Sequence, residues 1–311
     1  MHERKEIREP ALLGLISVNG IRNAEIFIQR IPYESGEVRK RLIQAIVELV
    51  KEDALLMTEK IVATFVATER DVQEAGMNIF LNLPNKEYAI HHFLKFCQSI
   101  PSFVREQVFL FASEYRDTFA DLILVSFKIE KDSELRHLGL KFAKTLKHER
   151  LADMFLHELE SKDWLVRYTS MLALGEMKAI DAVPFMLAAL DEPEISIAAI
   201  RALDHYRDVR LAEPLLNKLP SAKKSEQEEI ITVLRNMGDK RLIAPLEAFI
   251  KKDILDPDVK TKAASCIIEL CKENDLEIPP VARVYEGKEE VLQNKLEELP
   301  DLKLRITDEV T

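Results

Sequence analysis

The chain is short of glycine, cysteine and aromatic residues, and each shortage excludes a class of structure. Glycine accounts for 8 of 311 residues, so glycine-rich phosphate loops and long irregular connections are not expected. The three cysteines, Cys97, Cys266 and Cys271, show no metal-ligand spacing, which predicts reduced thiols in a cytosol. Aromatic residues make up only 7% of the chain, so we expect a core of Leu, Ile, Val and Ala.

Long apolar runs and long basic runs are also missing. No stretch reaches the ~20 apolar residues of a membrane span, and the charged amino terminus lacks the apolar run of a secretory signal. These absences predict a cytoplasmic protein without a membrane partner. Acidic residues outnumber basic ones, 54 to 44, and the net charge is -10. Such a chain repels phosphate backbones unless its basic residues are segregated on one face, which argues against a nucleic-acid partner.

A short signature recurs along the chain: an apolar residue, then a basic or polar one, then a helical run. The copies are Val38-Arg39, Val72-Gln73, Val104-Arg105, Leu135-Arg136, Val166-Arg167, Ile195-Ser196 and Val259-Lys260. The first six lie 29 to 34 residues apart, and the final gap of 64 residues leaves room for a further copy near Glu226-Gln227. A period of ~20–50 residues indicates a repeat array in which each unit packs on its neighbours.

The clearest unit shows two helices. Asp163 can cap a helix that begins at Trp164, and Pro184 suits the start of a second helix, where its missing N–H is not needed. Pro214 and Pro245 repeat the second feature after 30 and 31 residues. Each repeat is therefore predicted to be a helical pair.

These residues carry a family resemblance. Val166-Arg167 through Leu174-Gly175, followed by Ala182-Val183-Pro184 and Leu187, resembles the HEAT-like repeat, in the variety first named from phycobilin lyases. Met237-Gly238-Asp239 to Pro245-Leu246 shows the same pattern. The resemblance implies an all-α fold, an α-solenoid of about eight stacked antiparallel helix pairs whose first helices line a concave face. It also implies a protein-binding scaffold.

In this family, an Asp in the turn and an Arg in the inner helix bridge neighbouring repeats. Asp132 with Arg136 and Asp163 with Arg167 fit that pattern, whereas Gln73 and Ser196 depart from it. We therefore interpret the signature arginines as ties between repeats that do not touch a ligand.

Three regions are expected along the chain. Residues 1–34 are interpreted as capping helices, residues 35–273 as the HEAT-like solenoid, and residues 274–311 as a C-terminal helix and tail. Ile278-Pro279-Pro280 breaks the repeat pattern, and Lys288 to Leu299 reads as one more helix. The last region would be a cap or a linker.

The sequence shows no motif that carries chemistry. Gly-x-Ser-x-Gly and Cys-x-x-Cys are absent. His148-Glu149 and His157-Glu158 fall within one repeat, unlike the di-iron ligands of HEAT-repeat deoxyhypusine hydroxylases, which come from equivalent points of separate repeats. We predict a non-enzymatic adaptor without catalytic, cofactor-binding or metal-binding residues. The alternative is a HEAT enzyme that resembles a phycobilin lyase or a DNA-repair protein.

Helical phase gives the candidate binding residues. Counted from the apolar signature residue, positions 0, +4, +7 and +8 face the core, and positions +2 and +6 face the groove. A partner protein, as a helix or an extended segment, is predicted to bind there. The predicted contacts are Lys40, Gln44, Glu106, Leu110, His137, Lys141, Tyr168, Leu172, Ile197 and Arg201. If the phase were wrong by one residue, these side chains would belong to the core.

Overall fold

A computed structural model describes residues 5–18, 21–34, 36–50, 55–67, 70–83, 86–127, 130, 132–252 and 255–286, and these residues contain helices and no strand. The helices alternate in role. The first helices of the pairs, called A helices, are α1 Lys5–Ser17, α3 Gly36–Val50, α5 Arg70–Leu81, α7 Ser102–Ser113, α9 Ser133–Leu146, α11 Trp164–Glu176, α13 Ser196–Asp204, α15 Lys224–Met237 and α17 Pro257–Glu273. The second helices, called B helices, are α2 Ile21–Arg30, α4 Leu55–Ala63, α6 Lys86–Ser99, α8 Arg116–Ser126, α10 Ala152–Glu158, α12 Val183–Ala189, α14 Ala212–Lys218, α16 Ile243–Ile250 and α18 Pro280–Arg283.

The chain forms two compact units, Met1–Met154 and Phe155–Thr311. Within the first unit, B helices α2, α4, α6 and α8 pack in succession, as do A helices α3 and α5 and A helices α7 and α9. Within the second unit, A helices α11, α13, α15 and α17 pack in succession. This architecture confirms the all-α class of stacked helix pairs. The region boundaries at residues 34 and 273 stay predictions, and the helix predicted from Lys288 to Leu299 lies outside the described residues.

The signature marks the first turns of the A helices, and its phase is confirmed. In the clearest repeat, Val166, Ser170, Ala173 and Leu174 are all buried. The same four positions are buried in the other copies, except that Val104 is half-buried. The copy anticipated near Glu226-Gln227 is α15, and both of these polar residues are buried.

The side chain of the second signature residue donates a hydrogen bond to a backbone carbonyl at the end of the preceding helix or turn. Arg136 Nη1 donates to the Phe127 carbonyl oxygen at 2.9 Å, and Arg167 Nη1 donates to the Ser161 carbonyl at 2.9 Å. Gln73 Nε2 donates to the Ala67 carbonyl at 2.9 Å, so Gln73 makes the same kind of contact although it departs from the arginine pattern. Carbonyls at helix ends have no partner within the helix, which explains the need for a long polar donor here.

Phenylalanine side chains join Leu, Ile, Val and Ala in the core of the first unit, so the expectation of a core built from the aliphatic residues alone is wrong there. The Phe93 ring lies 5.1 Å from Phe142 and 5.3 Å from Phe119, measured between centroids. Phe65 and Phe80 approach the same ring at 6.1 and 6.0 Å. The scarce aromatic residues are therefore concentrated in one cluster, where tilted and edge-to-face contacts add to their buried area.

In the second unit, α11 and α13 meet at backbone distance. A Cβ atom added to Gly175 would lie 2.5 Å from Ala202 Cα and 2.9 Å from the Ala202 carbonyl oxygen. Backbone atoms cannot rotate away as a flexible side chain can. The absence of a side chain at Gly175 is therefore required for this helix contact.

We expect Gly175→Ala to lower the free energy of unfolding by about 2 kcal/mol or more, because overpacking forces the two backbones apart. Gly14→Ala is the matched control. Gly14 also lies inside a helix, with nothing within 4 Å of the added methyl group. The control should gain up to about 1 kcal/mol, since Ala is the better helix former. Urea denaturation followed by circular dichroism measures both; a Gly175→Ala protein as stable as wild type would contradict the contact.

Candidate functional site

The candidate site is described separately in the two units: in each unit, the A face is the exposed side of that unit's A helices that carries positions +2 and +6. None of the ten predicted contact residues is buried. Lys40, Gln44, Glu106, Leu110, Lys141 and Arg201 are exposed, and His137, Tyr168, Leu172 and Ile197 are half-buried. The alternative phase, which would place them in the core, is therefore wrong. Their role in binding stays a prediction.

On this face, polar side chains from three successive A helices of the second unit interact with one another. Arg201 on α13 donates to Glu229 Oε1 on α15, from Nε at 2.9 Å and from Nη2 at 2.5 Å. Arg201 also interacts with Tyr168 on α11. Burial lowers the pKa of Arg201, but the hydrogen bonds to Glu229 and Tyr168 raise it overall, so the guanidinium stays charged. Leu172 and Ile197 occupy the same face of α11 and α13.

Trp164 extends this face and was missed by the +2 and +6 rule. Its side chain begins α11 and is 48% exposed. The Trp164 ring meets the Tyr168 ring edge to face, with 6.3 Å between centroids. Trp164 precedes Tyr168 by four residues, and this one-turn spacing was the signal that could have identified it.

In the first unit, α7 exposes two large apolar side chains. Phe103 is 70% exposed and Leu110 is 60% exposed. They lie seven residues apart, hence on one side of the helix and about 10 Å apart along its axis. Phe103 was also missed, since it precedes the signature residue Val104. Helical spacing from Leu110 would have revealed it.

Ion pairs link the A helix α7 to its neighbour α5. Arg70 on α5 donates to both carboxylate oxygens of Glu114, which follows α7, and its Nη1 lies 2.9 Å from Glu114 Oε1. Arg70 Nε also donates to Glu74 at 3.0 Å, and its guanidinium covers the Phe111 ring at 4.7 Å. The hydrogen bonds to Glu114 and Glu74 raise the pKa of Arg70. Exposed pairs contribute little stability, but they hold these side chains in place.

Similar contacts connect neighbouring repeats within each unit. Arg39 Nη1 lies 3.0 Å from Asp71, and Arg167 Nη2 lies 3.4 Å from Glu194. Lys224 Nζ reaches Asp258 at 2.6 Å. Arg167 therefore ties one repeat to the next, as the sequence-based interpretation of the signature arginines expects.

A buried carboxylate replaces the usual apolar residue of one repeat. Glu226 stands at the signature position of α15 and is 5% exposed, and Ser196 on α13 is 1% exposed. Ser196 Oγ donates to Glu226 Oε1, and the Lys223 backbone N–H donates to Glu226 Oε2 at 3.0 Å. The helix N-terminus also favours a negative charge here.

We expect Ser196→Ala to lower the free energy of unfolding by about 1–3 kcal/mol, because Glu226 loses one of two donors while it stays buried. The double variant Ser196→Ala/Glu226→Val should regain part of this loss, since Val supplies the apolar residue of the other repeats. Denaturant titration of the three proteins tests this coupling. A double variant no more stable than Ser196→Ala would contradict it.

The described residues contain no group of three or more His, Cys, Asp or Glu side chains that could hold a metal ion. Over the same part of the chain, no helix is long and apolar enough to cross a membrane. The three cysteines are free and buried, and burial raises the pKa of Cys97 to about 12. His148 has a structural role, because its ring accepts the Arg150 backbone N–H and binds Asp117 at 2.8 Å.

Comparison with known proteins supports the repeat assignment. Residues 166–192 match the model of the PBS lyase HEAT-like repeat. A search of curated proteins found no match. Among solved structures, the X-ray structure of YibA from Escherichia coli matches at 15% identity and a TM-score of 0.41, covering 86% of this chain and 99% of that one. The predicted resemblance to HEAT-like repeats is confirmed by the family model.

Proposed function

We propose that this HEAT-like repeat protein is a non-enzymatic adaptor whose A face binds a segment of another protein. The observation that supports the proposal is the exposure of large apolar side chains on otherwise well-packed A helices. Phe103, Leu110 and Trp164 are each about half exposed or more. Apolar anchors surrounded by polar groups are characteristic of protein-binding surfaces.

The surrounding structure suits rigid recognition. Arg201 pairs with Glu229 in the second unit and Arg70 pairs with Glu114 in the first, so polar groups on the A face of each unit are arranged before a partner arrives. Preorganised side chains lose less conformational entropy on binding than mobile ones. Since the described residues contain no strand, a partner has no sheet edge to extend, and recognition must use side chains.

We expect the double variant Leu172→Lys/Ile197→Lys to bind at least tenfold less partner protein than wild type, because a charged group replaces each apolar contact. Lys keeps an aliphatic stem that can preserve the packing of these half-buried positions. Tagged proteins would be incubated with cell extract, and bound proteins quantified by mass spectrometry.

The matched control is Ile180→Lys/Phe185→Lys, which adds the same charge on the B-helix side of the second unit. Ile180 is 77% exposed and Phe185 is 45% exposed. This control should retain the captured proteins, and thermal melts should show that both variants are folded. Equal capture by both variants would contradict binding at the A face, and loss only in the control would move the site to the B side.

A further inference from the structure

The α7 strip, defined as Phe103, Glu106, Gln107 and Leu110, has a specific chemistry. All four side chains are exposed and fall on one side of α7, opposite the buried Val108, Phe109, Phe111 and Ala112. The strip therefore presents two apolar anchors with a carboxylate and an amide between them.

Glu106 is the one charged residue of the α7 strip, because Arg105, the other charged residue of α7, is half-buried and donates to the Cys97 carbonyl oxygen at 3.5 Å. Arg70 is shared by Glu74 and Glu114, which leaves an excess of one negative charge in that group. Glu106 forms no hydrogen bond or ion pair among the described residues. Lys141, on the neighbouring A helix α9, is exposed and carries a positive charge. The α7 strip itself is acidic.

We propose that the α7 strip binds a cationic amphipathic helix of a partner protein, an inference that rests on the proposed function of the A face. The helix would place apolar side chains about seven residues apart on Phe103 and Leu110. Its lysine or arginine residues between these anchors would face Glu106. A helix of this pattern matches the spacing of the two anchors, since seven residues make nearly two complete turns.

The probe is a synthetic, fluorescently labelled helix of about 15 residues with leucines at i and i+7 and lysines at i+3 and i+4. A second peptide carries glutamates in place of the lysines. Fluorescence anisotropy with the 311-residue chain measures both dissociation constants. We expect the lysine peptide to bind at least tenfold more tightly, and this preference to shrink at roughly 0.5 M NaCl because salt screens exposed charges. Equal binding of both peptides, or no binding of either, would overturn the proposal.

Two charge reversals on the protein should act in opposite directions. Glu106→Lys should raise the dissociation constant of the lysine peptide about fivefold, since an attraction becomes a repulsion at an exposed site. Lys141→Glu should lower the dissociation constant of the same peptide by a similar factor. Leu110→Lys should abolish measurable binding, whereas Val125→Lys, at a 40% exposed site on the B helix α8, should leave it unchanged.

Other occupants give distinct results. Self-association of the wild-type chain in sedimentation, abolished by Leu110→Lys, would assign the strip to a second copy and overturn the partner helix. Binding to anionic lipid vesicles in place of the peptide would overturn it in favour of a membrane surface. If the peptide fails while Leu172→Lys/Ile197→Lys still loses captured proteins, the proposed function survives and only this inference is lost.

Discussion

The structure depends on the burial of apolar side chains between successive A helices. No single helix pair can remove its apolar side from water, so each repeat needs a neighbour. In α11, the positions facing the core include Val166, Met171, Ala173 and Leu174, and they occupy most of the helix circumference. What remains at the surface of α11 is a narrow strip. The proposed function uses this kind of strip, because the rest of the helix packs against its neighbours.

Polar residues of the A helices serve the fold as much as the surface. The signature donor at Arg136, Arg167 or Gln73 satisfies a carbonyl at the end of the preceding helix or turn. The donors at these signature positions therefore act as internal caps, in keeping with the interpretation of the signature arginines as residues that do not touch a ligand. Fewer charged side chains are free of such contacts than the composition suggests, and among the described residues Glu106 is one of them.

Periodicity made much of this structure predictable. The core phase follows from helical geometry, which is why positions 0, +4, +7 and +8 were identified correctly, along with the copy at α15. The rule failed at Phe103 and Trp164 because it sampled only two positions per helix, and exposure in the first turn depends on the preceding connection. The phenylalanine cluster around Phe93 was missed for another reason. Local sequence patterns do not show which rings from distant parts of the chain come into contact. The low overall content of aromatic residues also gives no sign that many of them lie in one unit.

The contact between Gly175 and Ala202 also bears on how such arrays evolve. Repeats with interchangeable interfaces can be duplicated, deleted or reordered, since any unit accepts any neighbour. Here the missing side chain on α11 forms a notch that fits a specific small residue on α13, with only 2.5 Å from a built Cβ to the Ala202 Cα. The contact surfaces of these two repeats are therefore specifically complementary. Moving one without the other would leave either a void or a collision, so these two repeats are not interchangeable with other units of the array.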